Sequence, residues 1–102
     1  MESEYIYHVT TQKEWEQAQI ANEYKPKGYD QEGFIHCSIE RQVEGVLDRF
    51  YKGQTGLVKL KIEKERLTRP LLFELAADLN ELFPHIYGPL NLDSVVEVIA
   101  IP

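Results

Sequence analysis

Two short segments of the chain share a pattern that places a strand directly before a helix. In each, an apolar residue is followed two positions later by a histidine and two positions after that by a hydroxyl residue: Ile6, His8 and Thr10, and Phe34, His36 and Ser38. Because side chains alternate along a strand, each triplet lies on one strand face. Helical spacing follows each segment, so the free N–H groups of a helix start face the same place. The pattern predicts two strand–helix units and a pocket where they meet.

The first unit has clear boundaries. We predict a strand over Tyr5 to Thr10 and a helix that ends near Ala21. Thr11 and Glu14 have capping-box spacing, in which each side chain satisfies a backbone N–H of the other residue. Helical periodicity then makes three residues candidates for the core-facing side: Trp15, Ala18 and Ile20.

The second unit begins after a segment rich in helix breakers. Residues 22–32 are predicted to form a loop, which could cover the pocket. The predicted strand runs from Gly33 to Cys37, and Ser38 is expected to cap the following helix. Apolar residues at helical spacing define that helix, and Gly53 is placed to end it. The helix is marked by Ile39, Val43, Val46, Leu47 and Phe50.

The second half of the chain is rich in strands. Alternating Val58, Leu60 and Ile62 predict a half-exposed strand, and the runs 71–75 and 95–101 are also strand-like. A Gly88-Pro89 turn separates the last two strand-like stretches. Two strand–helix units followed by consecutive strands indicate an α+β fold, which we expect to form a single domain over residues 1–102.

Charge and composition restrict the partners. The chain has 17 acidic and 11 basic residues and a net charge of -6, which disfavours binding to nucleic acid. No apolar run approaches membrane-spanning length, and the acidic N-terminus lacks the features of a signal peptide. Cys37 is the only cysteine and is expected to be a buried, inert thiol. We therefore expect a cytoplasmic protein whose partner is a small molecule, and the sequence does not indicate a protein partner.

The third histidine lies in the segment Phe83-Pro84-His85-Ile86-Tyr87-Gly88-Pro89-Leu90. Together with Tyr7-His8-Val9-Thr10, Gly33-Phe34-Ile35-His36-Cys37-Ser38 and Glu74, this segment resembles the bacterial domain-of-unknown-function 952 family over essentially the whole chain. The resemblance implies a domain similar in fold to ADP-ribosyltransferases, in which two antiparallel sheets form a cleft for NAD.

The resemblance also suggests roles for particular residues. It implies that His8 contacts the ribose and that Glu74 is the catalytic carboxylate. It also implies that Ser38 or His36 takes the role that a Tyr or Ser on the second strand has in transferases of that fold. The chain departs from that pattern because no ExE or QxE pair occurs at Glu74 and because two histidines are additional. The candidate catalytic residues are thus Glu74 and His36, and the candidate ligand-binding residues are His8, Thr10, Ser38, His85 and Tyr87.

Three functions remain open from the sequence. The first is a histidine-lined cleft for a small nucleotide-like or phosphorylated ligand, with NAD as a candidate substrate rather than a resident cofactor and with ADP-ribosyl-transfer-type chemistry. The second is a noncatalytic ligand-sensing or protein-interaction module on the same fold. Separately, the sequence leaves open whether the three histidines form a site or a structural network. The third is a metal-dependent hydrolase with Glu74 as a ligand. We expect no metal site, because no two histidines have the close spacing that metal-binding pairs usually show.

Overall fold

The computed structural model describes residues 4–102, which form two antiparallel three-stranded sheets and three α-helices. In the first sheet the order is β1 (Tyr5–Thr11), β3 (Leu57–Glu63) and β6 (Val95–Ala100). In the second it is β2 (Ile35–His36), β5 (Glu81–Ile86) and β4 (Leu71–Ala76). The helices are α1 (Gln12–Ala21), α2 (Tyr29–Glu32) and α3 (Val43–Phe50). The predicted α+β class with consecutive antiparallel strands is confirmed.

The segment that follows β2 joins the two sheets. Cys37 N donates to Pro84 O of β5 at 2.9 Å, whereas the next residue, Ser38, exchanges two backbone hydrogen bonds of 2.7 Å with Tyr7 of β1. The chain therefore leaves one sheet and enters the other within a single residue step. This crossing explains why β2 contains only Ile35 and His36 and is shorter than the predicted strand.

The main core lies on one face of each sheet. It includes fully buried Ile6, Leu60 and Ile62 from the first sheet and Ile35 and Ile86 from the second, as the alternation in the sequence predicts. A smaller cluster on the opposite face of β1 contains Tyr7, Val9 and Val43. Both faces of β1 are thus buried. This burial fixes the register of β1 with β3, because a shift by one residue would exchange the side chains on the two faces.

Helix α1 confirms most of its predicted features. Trp15 and Ala18 are buried, and Thr11 Oγ1 accepts from Glu14 N at 3.0 Å. The prediction for Ile20 is wrong, because this residue is 87% exposed. It lies two positions after Ala18, or about 200° around the helix, and therefore on the opposite side. Glu14 does not complete the capping box either, since its carboxylate accepts from Lys27 N at 3.3 Å.

The second predicted helix corresponds to α3, which starts later than predicted. A turn of 3₁₀-helix over Glu40–Gln42 precedes α3, and Gln42 Oε1 accepts from Ile39 N at 3.0 Å. The side chain of Gln42, rather than that of Ser38, therefore accepts a hydrogen bond from a free backbone N–H group at the start of this helical segment. Helix α3 ends at Phe50, before Gly53, and Phe50, one of the apolar residues that marked the predicted helix, is 65% exposed.

The predicted loop over residues 22–32 contains one further element. Its last residues form the short helix α2, which is bracketed by Gly28 and Gly33, both with positive φ. No helix within residues 4–102 combines the length and apolar character needed to cross a membrane.

Candidate functional site

A cleft of about 520 Å³ lies between β1, the residues that follow β2, β5, the end of β4 and α3. Four of the residues singled out in the sequence are among those that line it: His8, His36, Ser38 and His85. Most of the remaining wall is apolar or aromatic, with contributions from Leu75, Phe83, Phe50 and Tyr51. Thr10, Glu74 and Tyr87 are not among the lining residues.

His8 is held by hydrogen bonds on both ring nitrogens. Nδ1 lies 2.6 Å from His36 O, and Nε2 lies 2.8 Å from the Tyr24 hydroxyl. Because a carbonyl can only accept, Nδ1 carries the proton of the neutral ring and Nε2 presents its lone pair to Tyr24. The Tyr24 hydroxyl is also 3.0 Å from Thr10 Oγ1, so Thr10 belongs to this buried network.

Burial determines the charge of His8. The ring is 7% exposed, and desolvation lowers its pKa to about 4. The same effect raises the pKa of Tyr24, which is 1% exposed. His8 is therefore a neutral group at neutral pH, and it holds the carbonyl of His36 in place at the cleft floor.

His36 and His85 form an aromatic cluster at the cleft. They are directly opposite each other on β2 and β5, and their ring centroids are 5.1 Å apart in an edge-on arrangement. Phe34 stacks on His85 with a centroid distance of 4.3 Å and contacts His36 edge-on at 4.7 Å. The strand pattern places Phe34 and His36 on one face, and the register of β2 with β5 brings His85 into contact with them.

Each of these two histidines contacts a carboxylate. Nδ1 of His85 is 2.7 Å from Glu74 Oε1, and Nε2 of the exposed His36 contacts Glu32 Oε2. Glu74 belongs to β4, where it lies opposite Phe83 and hence on the same sheet face as His85. The pairings leave Nε2 of His85 and Nδ1 of His36 without a hydrogen-bond partner within residues 4–102.

Glu74 orients His85 from outside the cleft. The Tyr87 hydroxyl donates to Glu74 Oε1 at 2.5 Å, and this bond together with that from His85 holds the pKa of the Glu74 carboxyl below its ordinary value. An ionised carboxylate only accepts, so Nδ1 of His85 is the donor, and Nε2 is the nitrogen that carries the lone pair when the ring has a single proton. A carboxylate that fixes the tautomer of a histidine is the arrangement used for proton transfer in catalysis. The bond to Glu74 also raises the pKa of Tyr87.

Ser38 contributes a hydroxyl to the cleft floor. The residue is 5% exposed, its backbone is fixed by Tyr7, and its side chain has no hydrogen-bond partner among residues 4–102. The neighbouring Cys37 is buried, as predicted, and burial raises the pKa of its thiol. Ser38 therefore offers a polar group to a ligand, whereas Cys37 does not offer a reactive thiolate.

Arg49 was not among the site residues predicted from the sequence, and it lines the cleft from α3. Its guanidinium lies 5.8 Å from the Phe50 ring and forms no ion pair within the described part of the chain. The sequence does contain a pattern that includes Arg49, because Val46, Arg49 and Phe50 have the i, i+3, i+4 spacing of one helix face. All three residues line the cleft. Glu32 was also missed, and its pairing with His36 has no comparable signal because a turn separates them.

Residues 4–102 also bring together one group of three potential metal ligands, Glu4, Glu63 and Glu65. None of the three is a residue of the cleft.

Comparisons with known proteins identify relatives of the chain. The model of the family described as "Protein of unknown function (DUF952)" matches residues 9–98. A crystal structure of protein CC0527 from Caulobacter crescentus is 29% identical, with a TM-score of 0.84 over 92% of this chain and 82% of that chain. A solution NMR structure of CC0527 is also 29% identical, with a TM-score of 0.82 over 97% of this chain and 85% of that chain. No curated protein matches the chain.

Proposed function

We propose that this chain, which belongs to the DUF952 family of proteins of unknown function, binds a small nucleotide-like or phosphorylated ligand in its cleft. NAD is the first candidate. The observation that carries the proposal is the composition of the cleft. One cavity combines a carboxylate-oriented histidine with a serine hydroxyl and an arginine that have no hydrogen-bond or ion-pair partner among residues 4–102, and its walls are largely apolar. Its volume of about 520 Å³ lies within the usual range for small-ligand sites, roughly 300–1,000 Å³.

The walls and the polar groups match different parts of such a ligand. Phe50 and Phe83 offer aromatic surface to a base or a nicotinamide ring. Arg49 offers a planar donor fork, which suits the bidentate recognition of phosphate oxygens. The net charge of -6 does not prevent this binding, since one local guanidinium can hold a compact phosphate group.

An ADP-ribosyl-transfer-type reaction would use His85 as the proton acceptor. The oxygen of the acceptor hydroxyl or of water forms a bond to C1′ of the ribose as the C1′–N bond to nicotinamide breaks, and the nicotinamide leaves with the electrons of that bond. Nε2 of His85 accepts the proton that the attacking oxygen loses. Glu74 acts through His85 by fixing its tautomer and by stabilising the imidazolium that forms. Glu74 is thus a positioning residue in this proposal.

Arg49→Gln tests the binding proposal. Because a hydrogen-bonded charge contact contributes about 1.5–3 kcal/mol, the substitution should weaken NAD binding by roughly 10- to 100-fold in calorimetric titration. The matched control is Arg41→Gln, which removes an exposed arginine that pairs with Glu81 at 2.7 Å outside the cleft. Equal affinities of both variants and the unsubstituted protein, or no binding of NAD or ADP-ribose at millimolar concentration, would contradict the proposal.

Glu74→Gln separates catalysis from binding. The amide keeps the shape but not the charge, so NAD affinity should change little while any release of nicotinamide is lost. Chromatographic assay of free nicotinamide gives the readout. A noncatalytic sensing module is the second candidate, and it is favoured by the position of Glu74 outside the cleft wall. Saturable NAD binding with no nicotinamide release from the unsubstituted protein would establish that alternative.

A further inference from the structure

Strand β4 presents a free edge of unusual composition. It pairs with β5 on one side, and no strand within residues 4–102 pairs with its other side. Five of its six residues are apolar, and Leu72, Phe73 and Leu75 are exposed. A long apolar edge strand is a template for pairing with another strand, and natural proteins normally protect such edges.

The corresponding edge of the other sheet is protected. In the pairing of β6 with β3, Val95 is opposite Ile62 and Glu97 is opposite Lys61, so Val96 has no partner and forms a bulge. Bulges bend and twist an edge away from further pairing. The register of β4 with β5, by contrast, is continuous over all six residues.

The outward-facing backbone groups of β4 can be assigned. Tyr87 N donates to Pro70 O at 2.8 Å, so this pair is hydrogen-bonded. Hydrogen-bonded and non-hydrogen-bonded pairs alternate along an antiparallel ladder. Leu72, Glu74 and Ala76 therefore bond to β5. The N–H and C=O groups that point to the free edge belong to Leu71, Phe73 and Leu75, whose apolar side chains share one sheet face.

We propose that β4 pairs antiparallel with β4 of a second copy of this chain, with the two-fold axis at Phe73. Symmetry permits only registers in which outward-facing residues meet outward-facing residues. The register centred on Phe73 places it opposite its counterpart and Leu71 opposite the second Leu75, so three residue pairs each exchange two backbone hydrogen bonds. No other two-fold register uses all three outward-facing residues.

The register centred on Glu74 is also less favourable in its side chains. Shifting the axis to Glu74 would place two carboxylates directly opposite each other, which destabilises a sheet. In the register centred on Phe73, Glu74 lies opposite Leu72 instead. The apolar surface then continues through Leu75 to Leu82, its exposed partner on β5. The product is a six-stranded sheet that runs through both copies.

The size of the interface determines how the dimer behaves. Two six-residue strands cover less surface than a standard stable interface of about 1,200–2,000 Å². We therefore expect dimers that form at submillimolar protein concentration and dissociate on dilution. The inference does not rest on the proposed function, because it uses only the topology and the edge residues.

Sedimentation velocity over a concentration series tests the proposal with two lysine variants. Phe73→Lys places two like charges across the two-fold axis and should leave the protein monomeric, whereas the control Val96→Lys, on the bulged edge, should still dimerise. A monomer at every concentration of the unsubstituted protein, or a dimer that Phe73→Lys leaves intact, would overturn the proposal.

A crosslinking experiment covers the case in which Phe73→Lys does not fold. Hydrogen-bonded antiparallel pairs have Cα atoms about 5.5 Å apart, a distance within the roughly 4.4–6.8 Å of disulfides. Phe73→Cys should therefore form an intermolecular disulfide under mild oxidation, because native Cys37 is buried and does not compete. The control Val96→Cys should stay monomeric, and equal crosslinking of both variants would show that the register is wrong.

Discussion

The three histidines differ in what their ring nitrogens contact. Both nitrogens of His8 are used within the protein, whereas His36 and His85 each keep one nitrogen without a partner among residues 4–102. The difference follows from burial, since His8 lies under the cleft floor at 7% exposure and His36 is exposed. His8 therefore has no free nitrogen for a ribose hydroxyl, and the free nitrogens of the cleft belong to the other two.

The buried state of His8 predicts a pH-dependent stability. Its folded pKa of about 4 is below the ordinary value of 6.5, so between these pH values the unfolded chain binds more protons than the folded protein. The contribution of neutral His8 to the free energy of unfolding is therefore complete above pH 6.5, decreases as the pH falls, and is lost near pH 4. The difference of 2.5 pH units corresponds to about 3 kcal/mol.

Urea unfolding at a series of pH values checks this prediction against His8→Gln, which does not titrate. The free energy of unfolding of the unsubstituted protein should fall more steeply than that of the variant as the pH is lowered from 6.5 to 4. Parallel pH profiles would mean that His8 is not held neutral by burial.

At the scale of elements, α2 and β2 together position the Glu32–His36 pair. Helix α2 has only four residues and no buried side chain, and it is followed by Gly33, whose φ is 80°. The chain must adopt this left-handed conformation to turn from α2 into β2. Glycine reaches it without the steric cost that other residues bear.

Two glycine substitutions should have opposite effects. Gly33→Ala forces a Cβ into the left-handed region and should destabilise the protein by about 1 kcal/mol. Gly45→Ala, within α3, should stabilise it by about 0.5–1 kcal/mol, since alanine is the better helix former and its Cβ meets only the end of the Arg49 side chain. Thermal unfolding of both variants gives the comparison, and a stabilising effect of Gly33→Ala would contradict the account of this turn.

The elements differ in how far the sequence predicts them. Strand β3 and helix α1 follow local periodicity, so their boundaries agree with the structure to within a residue or two. The start of α3 does not, because Ser38 is taken out of its expected cap position by backbone bonds to Tyr7, which is 31 residues away in sequence. Local pattern contains no information about such a tertiary contact.

The same distinction applies to the candidate site. Alternation along one strand was sufficient to place Phe34 and His36 on one face. The structure adds the register that brings His85 opposite His36 and into contact with Phe34. The pairing of Glu74 with His85 depends on the register of β4 with β5, and the pairing of Glu32 with His36 depends on a turn. Sequence periodicity does not determine either.

At the scale of the whole molecule, the cleft exists because the two sheets are joined at one point. Residues 37 and 38 connect β5 to β1 through backbone hydrogen bonds, and the cleft lies beside that junction with α3 along one side. The polar groups that we assign to ligand binding come from the second sheet, from the segment that joins the two sheets and from α3, while β1 contributes Tyr7, His8 and Val9 to the cleft wall. A ligand in the cleft would thus contact every layer of the fold, and its binding should raise the apparent stability of the protein.

The most direct test of ligand binding in the cleft is an NMR titration of ¹⁵N-labelled protein with NAD. We expect saturable shifts of the backbone amides of His36, Ser38 and His85, with no comparable shifts at Val96 and Val98 on β6. Unchanged spectra at millimolar NAD, or shifts confined to β6, would contradict ligand binding in the cleft.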